Sequence, residues 1–254
     1  MPLTIAVAGM VGAGKSTLTR ALGQRFGLQL ALESVDDAAP APAGAPGGAP
    51  AVPANPWLPL FYADGSDDAK RRYGLPLQLH FLATRFAAMR DMRARGGSWV
   101  LDRTWYEDAE VFARGLFEDG YLTPLEFDLY GRLYGELLHS PAARPPRLVV
   151  YLDAPLDTIL ERIRRRGREK ERDTPVAYWE RLHARYQRWI ADFRYSPVLS
   201  LDARAFDLVA DPRAVENVAA LVRERLERGL PQTELWPAQS RLQQSEQTAG
   251  PSRA

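Results

Sequence analysis

Cysteine is absent from this chain of 254 residues, so neither a disulfide framework nor a thiolate metal site is open to it. An excess of charge of one sign is missing as well. The 33 basic residues are balanced by 32 acidic ones, a formal net charge of +1, which provides no general field for a polyanion and argues against nucleic acid as a partner. No apolar run reaches the roughly 18 residues of a membrane span. The N-terminus enters an apolar strand pattern at Leu3, which leaves no room for a signal peptide. The expectation is a cytoplasmic protein with no membrane partner. With 46% hydrophobic and 26% charged residues, the chain is able to bury one sizeable core, so one domain with appendages is expected.

Short apolar runs recur at Leu3–Ala8, Leu28–Leu32, Trp99–Leu101, Leu148–Leu152 and Val198–Leu201, with helical patterns between most of them. Strands alternating with helices imply right-handed crossovers, hence an α/β fold: a five-stranded parallel sheet with helices on both faces, in three layers. Ligands of such sheets bind beyond the carboxyl ends of the strands. The positions to inspect are therefore Gly9–Thr17, Glu33, Asp102–Arg103, Asp153 and Asp202. Two stretches stand apart. Residues 36–56 are mostly Ala, Pro and Gly, and a flexible insertion is expected there. Residues 1–230 then form the domain, with an amphipathic stretch (Val215, Val218, Leu221, Val222, Leu226) near its end, and residues 231–254 a disordered tail.

The first strand-end carries the strongest signal. Gly9-Met10-Val11-Gly12-Ala13-Gly14-Lys15-Ser16-Thr17 lies between an apolar run and a helical pattern (Leu18, Ala21, Leu22, Phe26), which is a P-loop in its required context. The glycines let successive backbone N–H groups face phosphate oxygens, Lys15 reaches the outer phosphates, and the Ser16 hydroxyl is suited to Mg²⁺. Glu33, at the end of the second run, is either a general base that takes a proton from an attacking hydroxyl or a solvated strand-end carboxylate. Asp102 and Arg103 end the third run. There an Asp serves Mg²⁺ and an Arg serves phosphate or the nucleophilic oxygen, unless the two form a plain surface ion pair.

Arg162, Arg164, Arg165, Arg166, Arg168, Lys170 and Arg172 crowd an 11-residue stretch broken by Gly167. This is either a hinged lid over residues 162–173 that closes on a triphosphate or a solvated helix face. Nucleic-acid binding through it lacks interleaved aromatic residues. Gln78 and Arg85, two helical turns apart on a pattern of Leu75, Leu79, Leu82 and Phe86, point the same way and are able to meet one flat polar ligand. Taken alone, Gln and Arg on a helix are most often exposed.

With these residues in hand, the chain resembles the deoxyribonucleoside kinases, the group of deoxyadenosine, deoxyguanosine and deoxycytidine kinases, from about Leu3 to Trp189. The likeness rests on the P-loop, on Leu32-Glu-x-Val35, on Asn55-Pro-Trp-Leu-x-x-Phe-Tyr62, and on Gln78 with Phe81, Leu82 and Arg85. It continues through Asp102-Arg-Thr-x-x-x-Asp108 and Arg162-Ile-x-x-x-Gly-Arg-x-x-Glu171. The resemblance implies a P-loop kinase fold with ATP as phosphate donor, Mg²⁺ as cofactor near Ser16 and Asp102, and a homodimer. It implies Glu33 as base on the sugar 5′-hydroxyl with Arg103 beside it, and Tyr62 and Glu171 on the 3′-hydroxyl. Gln78 would read the base edge, Phe112 would stack on the base, and Arg162, Arg166 and Arg168 would meet the phosphates. Arg85 and Asp108 line the base pocket of purine- and cytidine-preferring relatives, which points to deoxyadenosine or deoxyguanosine rather than thymidine. Rival readings are a deoxycytidine kinase, a nucleoside monophosphate kinase and a nucleotide-gated switch. The last lacks the Asn-Lys-x-Asp string of guanine-specific switches.

Overall fold

The computed structural model describes residues 2–32, 55–63, 65–168, 171, 174–206 and 211–228. Its strands are β1 (Thr4–Ala8), β2 (Gln29–Ala31), β3 (Trp99–Asp102), β4 (Leu148–Asp153) and β5 (Val198–Asp202), paired in parallel in the order β2-β3-β1-β4-β5. Each falls on one of the apolar runs. β2 is shortened to three residues, while β3, β4 and β5 each extend to the Asp that follows its run.

The helices are α1 (Lys15–Phe26), α2 (Trp57–Tyr62), α3 (Asp67–Arg95), α4, α5 (Pro124–His139), α6 (Leu156–Arg166), α7 (Val176–Asp192) and α8 (Pro212–Glu227). Helix α4 begins as Trp105–Glu107, widens into a π-helix over Asp108–Ala113 and finishes as Arg114–Glu118. π-turns inside helices are rare and occur preferentially at functional sites. The amphipathic stretch near residue 220 forms α8, whose Val218 and Val222 are fully buried.

The three inner strands, β3, β1 and β4, are buried on both faces, which is why they read as continuous apolar runs. Ile5 and Val7 of β1 join Leu148, Val150 and Leu152 of β4 against Leu18 and Leu22 of α1 and Val218 and Val222 of α8. Ala6 and Ala8 point the other way, with Val149 and Tyr151, into a layer of Leu82, Tyr106, Tyr130, Tyr134, Tyr186 and Trp189 from α3, α4, α5 and α7. The helix after β1 thus covers one face and the helix after β3 the other. The two connections part at the carboxyl edge of neighbouring strands, the crevice where ligands usually sit in an open α/β sheet.

Residues 36–54 of the expected insertion, the tail 231–254 and Glu33 lie outside the described residues. Asn55 does not. It is buried, its Nδ2 donates to the Leu77 carbonyl at 3.5 Å, and its Oδ1 accepts from the Trp57 amide at 3.0 Å, which ties the start of α2 to α3.

Candidate active site

The crevice is bounded first by the loop from Gly9 to Gly14. Gly9 has φ +142°, and a Cβ there would stand 2.8 Å from the Leu152 carbonyl oxygen, so the chain passes β4 only as glycine. Lys15 opens α1, is buried, and donates from Nζ to the Met10 carbonyl at 3.2 Å across the loop. Val11, Gly12 and Ala13 complete the bend between them, while Thr17 is exposed on the first turn of α1.

Ser16 Oγ donates to Asp102 Oδ2 at 2.5 Å, joining the first turn of α1 to the end of β3. Asp102 is 3% exposed, and its other oxygen, Oδ1, is buried with no hydrogen-bond partner among the described residues. A hydroxyl beside a carboxylate that holds an unused oxygen suits the hard-donor preference of Mg²⁺, which takes one or two protein ligands and fills the rest of its shell with phosphate and water.

Arg103 follows directly and has φ +77°, the single positive φ outside glycine among the described residues. For a residue with a β-carbon this costs roughly 1–3 kcal/mol and persists only where the surroundings over-determine it. Here the Arg103 amide donates to the Val7 carbonyl at 2.9 Å. On its other side Thr104 caps α4 in a capping box with Glu107. The strained turn aims the Arg103 guanidinium over the Phe112 ring, 4.7 Å from its centroid.

Glu107 was not among the residues expected to matter. It is fully buried and accepts four hydrogen bonds. Oε2 takes the Thr104 amide at 2.7 Å and the Thr104 hydroxyl at 3.0 Å; Oε1 takes the Tyr186 hydroxyl at 3.0 Å and, at a longer 3.5 Å, the Gly9 amide. The signal was present as Thr-x-x-Glu, the capping-box spacing.

On the far side of the crevice Gln78 is 4% exposed, and its Oε1 has no partner among the described residues. Arg85 forms an ion pair with Asp108 from the π-turn, and its guanidinium lies 5.8 Å from the Phe81 ring centroid. Of the two readings of Gln78 and Arg85, the exposed one does not hold. α3 packs against α4 and α5 along this face, so both side chains point inward. Tyr62, at the end of α2, is half-exposed. Tyr178 of α7 lies within electrostatic reach of Tyr62 and of Arg103. Burial holds the Tyr178 hydroxyl above its usual pKa, with Arg185 and Arg103 pulling it down.

The arginine cluster divides into two groups. Arg162 donates from Nη1 to the Ala13 carbonyl at 3.1 Å and from Nη2 to the Ala203 carbonyl at 2.9 Å, fastening α6 to the P-loop and to the turn after β5. Gly167 stops α6 in the left-handed region at φ +70°, as a glycine C-cap does. Beyond it Arg166 grips Glu171 with two hydrogen bonds, of 2.5 and 3.2 Å, and Arg168 stands 3.8 Å from the same carboxylate. The structure thus brings Arg162 to the P-loop and Arg166 and Arg168 to Glu171.

A loop of this build suits the phosphates of a nucleoside triphosphate, and the Ser16–Asp102 link joins it to the end of β3. The class so defined is that of P-loop phosphotransferases. Residues 5–227 match the family model described as deoxynucleoside kinase, and the chain belongs to that family: it is an ATP-dependent deoxyribonucleoside kinase. The chain is 37% identical over 214 residues to a deoxyadenosine/deoxycytidine kinase of Bacillus subtilis, covering 84% of this chain and 88% of that one. It is 34% identical over 230 residues to a deoxyguanosine kinase of Lactobacillus acidophilus, covering 87% and 90%. The structure of deoxyadenosine kinase from M. mycoides with bound dATP shares the fold, with a TM-score of 0.66 at 23% identity over 89% of this chain and 100% of that one. No described helix is long and apolar enough to cross a membrane.

Proposed function

We propose that this kinase transfers the ATP γ-phosphate to the 5′-hydroxyl of a purine deoxynucleoside, deoxyadenosine or deoxyguanosine, in cytoplasmic nucleotide salvage. The observation that supports this acceptor class over thymidine is the shielded Arg85–Asp108 ion pair, whose Arg85 shares helix α3 with the buried Gln78. The Asp108 carboxylate is suited to accept from an exocyclic amino group, which adenine, guanine and cytosine carry and thymine lacks. Phe112 supplies the stacking surface, while Tyr62 and Glu171 take the 3′-hydroxyl. Glu171 reaches it only when its grip on Arg166 opens, and that opening frees Arg166 for phosphate.

In this mechanism the Glu33 carboxylate orients the 5′-hydroxyl and accepts its proton late, because an alcohol is so weakly acidic. The new O–P bond forms in line as the bond from the γ-phosphorus to the bridging oxygen breaks, and that electron pair leaves with ADP. Lys15 and the P-loop amides hold the donor phosphates, Arg103 faces the reacting oxygens, and Arg162, Arg166 and Arg168 neutralise charge and exclude water. Ser16 and Asp102 would hold Mg²⁺, which would supply positive charge against that developing on the transferred phosphoryl group.

A deoxycytidine preference is the second reading, supported by the Bacillus relative named for both substrates. A homodimer is supported by Leu125, Leu129 and Leu133, an exposed stripe on α5. The deciding experiment measures initial rates of ATP consumption with Mg²⁺ across the four deoxynucleosides, their monophosphates and a no-acceptor control. Deoxyadenosine or deoxyguanosine is expected to lead thymidine. Deoxycytidine in front replaces the purine reading, and turnover of monophosphates alone overturns the acceptor assignment.

A further inference from the structure

We propose that Glu107 is a positioning residue for phosphoryl transfer, holding the start of the P-loop and the strained Arg103 turn in register from beneath both. The inference rests on the reading of Arg103 as the residue that faces the reacting oxygens. It does not depend on which deoxynucleoside is the acceptor.

A helix cap alone asks less of this residue than it does. The capping box uses one carboxylate oxygen, Oε2, on Thr104. The other oxygen reaches out of the helix to the Gly9 amide, 98 residues away in the chain, and to the Tyr186 hydroxyl on α7. A fully buried carboxylate is costly unless its oxygens are satisfied, and here both are. Tyr186 in turn sets its ring edge-on to Phe112, with centroids 6.2 Å apart at 83°, and Phe112 carries the Arg103 guanidinium on its face. One side chain therefore joins the P-loop, the Arg103 turn and the ring that stacks under Arg103. The groups it joins follow β1 and β3 and belong to α4 and α7.

The chemistry of an amide makes the proposal sharp. The Thr104 and Tyr186 hydroxyls are able to rotate and accept from an NH₂ group, whereas the Thr104 and Gly9 main-chain amides only donate. Those two amides bind different oxygens of Glu107. Glu107→Gln keeps the shape but leaves one acceptor, so it gives up either the cap beside Arg103 or the hold on Gly9. Displacement of reacting groups by about 1 Å costs on the order of 10²-fold in rate.

The test is a single-turnover rate with the full chain in excess over labelled acceptor at saturating ATP, which reads the rate per folded site. The acceptor is whichever deoxynucleoside the unaltered chain turns over fastest, so an error in the purine reading leaves the test intact. Glu107→Gln is expected to lower this rate about 10- to 100-fold, with acceptor KM changed by less than about threefold. Tyr186→Phe, which removes one donor and keeps the ring on Phe112, is expected to lower it about threefold or more. A purely structural Glu107 would lower the melting temperature and leave the single-turnover rate within twofold of the unaltered chain, and that result overturns the proposal. Should Glu107→Gln fail to fold, Tyr186→Phe decides alone by the same limits.

Discussion

Arg85, in the middle of α3, pairs with Asp108 in the π-turn of α4, and the two side chains are only 14% and 3% exposed. Breaking such a pair leaves a lone buried charge, at a cost of about 3–5 kcal/mol, while replacing both partners by apolar groups is far milder. Arg85→Met combined with Asp108→Ala is therefore expected to fold and to move preference toward thymidine, read as the ratio of kcat/KM for thymidine to that for deoxyadenosine. Either single change is expected to lower the melting temperature more than the double change does. An unchanged substrate ranking in the double variant would remove the pair from the base pocket.

Asp102 bonds Ser16 with one oxygen and keeps the other unused in the crevice. Asp102→Asn preserves the size of the group and its contact with the Ser16 hydroxyl but removes the charge that suits a divalent cation. The magnesium concentration for half-maximal rate is expected to rise about tenfold or more, with acceptor KM little altered. A magnesium dependence identical to that of the unaltered chain would assign Asp102 to the Ser16 link alone.

Glu33 follows β2 by two residues in the sequence and lies outside the described residues. As a general base it is expected to contribute about 10²–10⁴-fold. Glu33→Gln should lower kcat by that span and leave nucleoside affinity within a few-fold, measured by titration without ATP. A normal kcat would pass the proton to another group.

The parts of this molecule that were legible in the sequence are those where one local rule decides the outcome. The inner strands β3, β1 and β4, buried on both faces, spell continuous apolar runs, and the P-loop is a contiguous motif between a strand and a helix, so both stood out. Gln78 and Arg85 did not reveal their burial, because that depends on α3 packing against α4 and α5, which no local pattern records. Glu107 was hidden for a related reason. Its capping box can be read from four residues, but its bonds to Gly9 and Tyr186 join positions 98 and 79 residues away. The π-turn that sets Asp108 and Phe112 had no marker in composition either.

Glu110 lies one turn beyond Glu107 and accepts from the Tyr134 hydroxyl at 3.1 Å and the Trp189 ring N–H at 3.0 Å. Burial pushes its carboxyl up from 4.5 to about 7, with Tyr134, Tyr195 and Trp189 opposing the rise. A carboxyl raised in the folded state binds its proton more tightly there than in the unfolded chain. Its contribution to stability is thus fully present below pH 4.5 and is lost as pH climbs to about 7. Glu110→Gln should flatten this part of the stability profile, so the melting temperature of the variant relative to the unaltered chain rises between pH 5 and pH 8. Parallel profiles would show that Glu110 titrates alike in both states.

Leu125, Leu129 and Leu133 are spaced by four along α5 and are 83%, 50% and 43% exposed. Residues four apart share a helix face, so these side chains form one apolar stripe, and contiguous exposed apolar area on a soluble domain marks an interaction surface. α5 also packs against α3, so a second copy laid across it would bury leucines that the protomer leaves in water. Dimerisation through this stripe should be abolished by Leu129→Asp with Leu133→Asp, whose charges gain water in the monomer and lose it in the pair. The mass measured by light scattering is expected to fall from two chains to one while the melting transition persists. Two outcomes refute the assignment: an unaltered chain that is already monomeric, or a double variant that keeps the dimer mass.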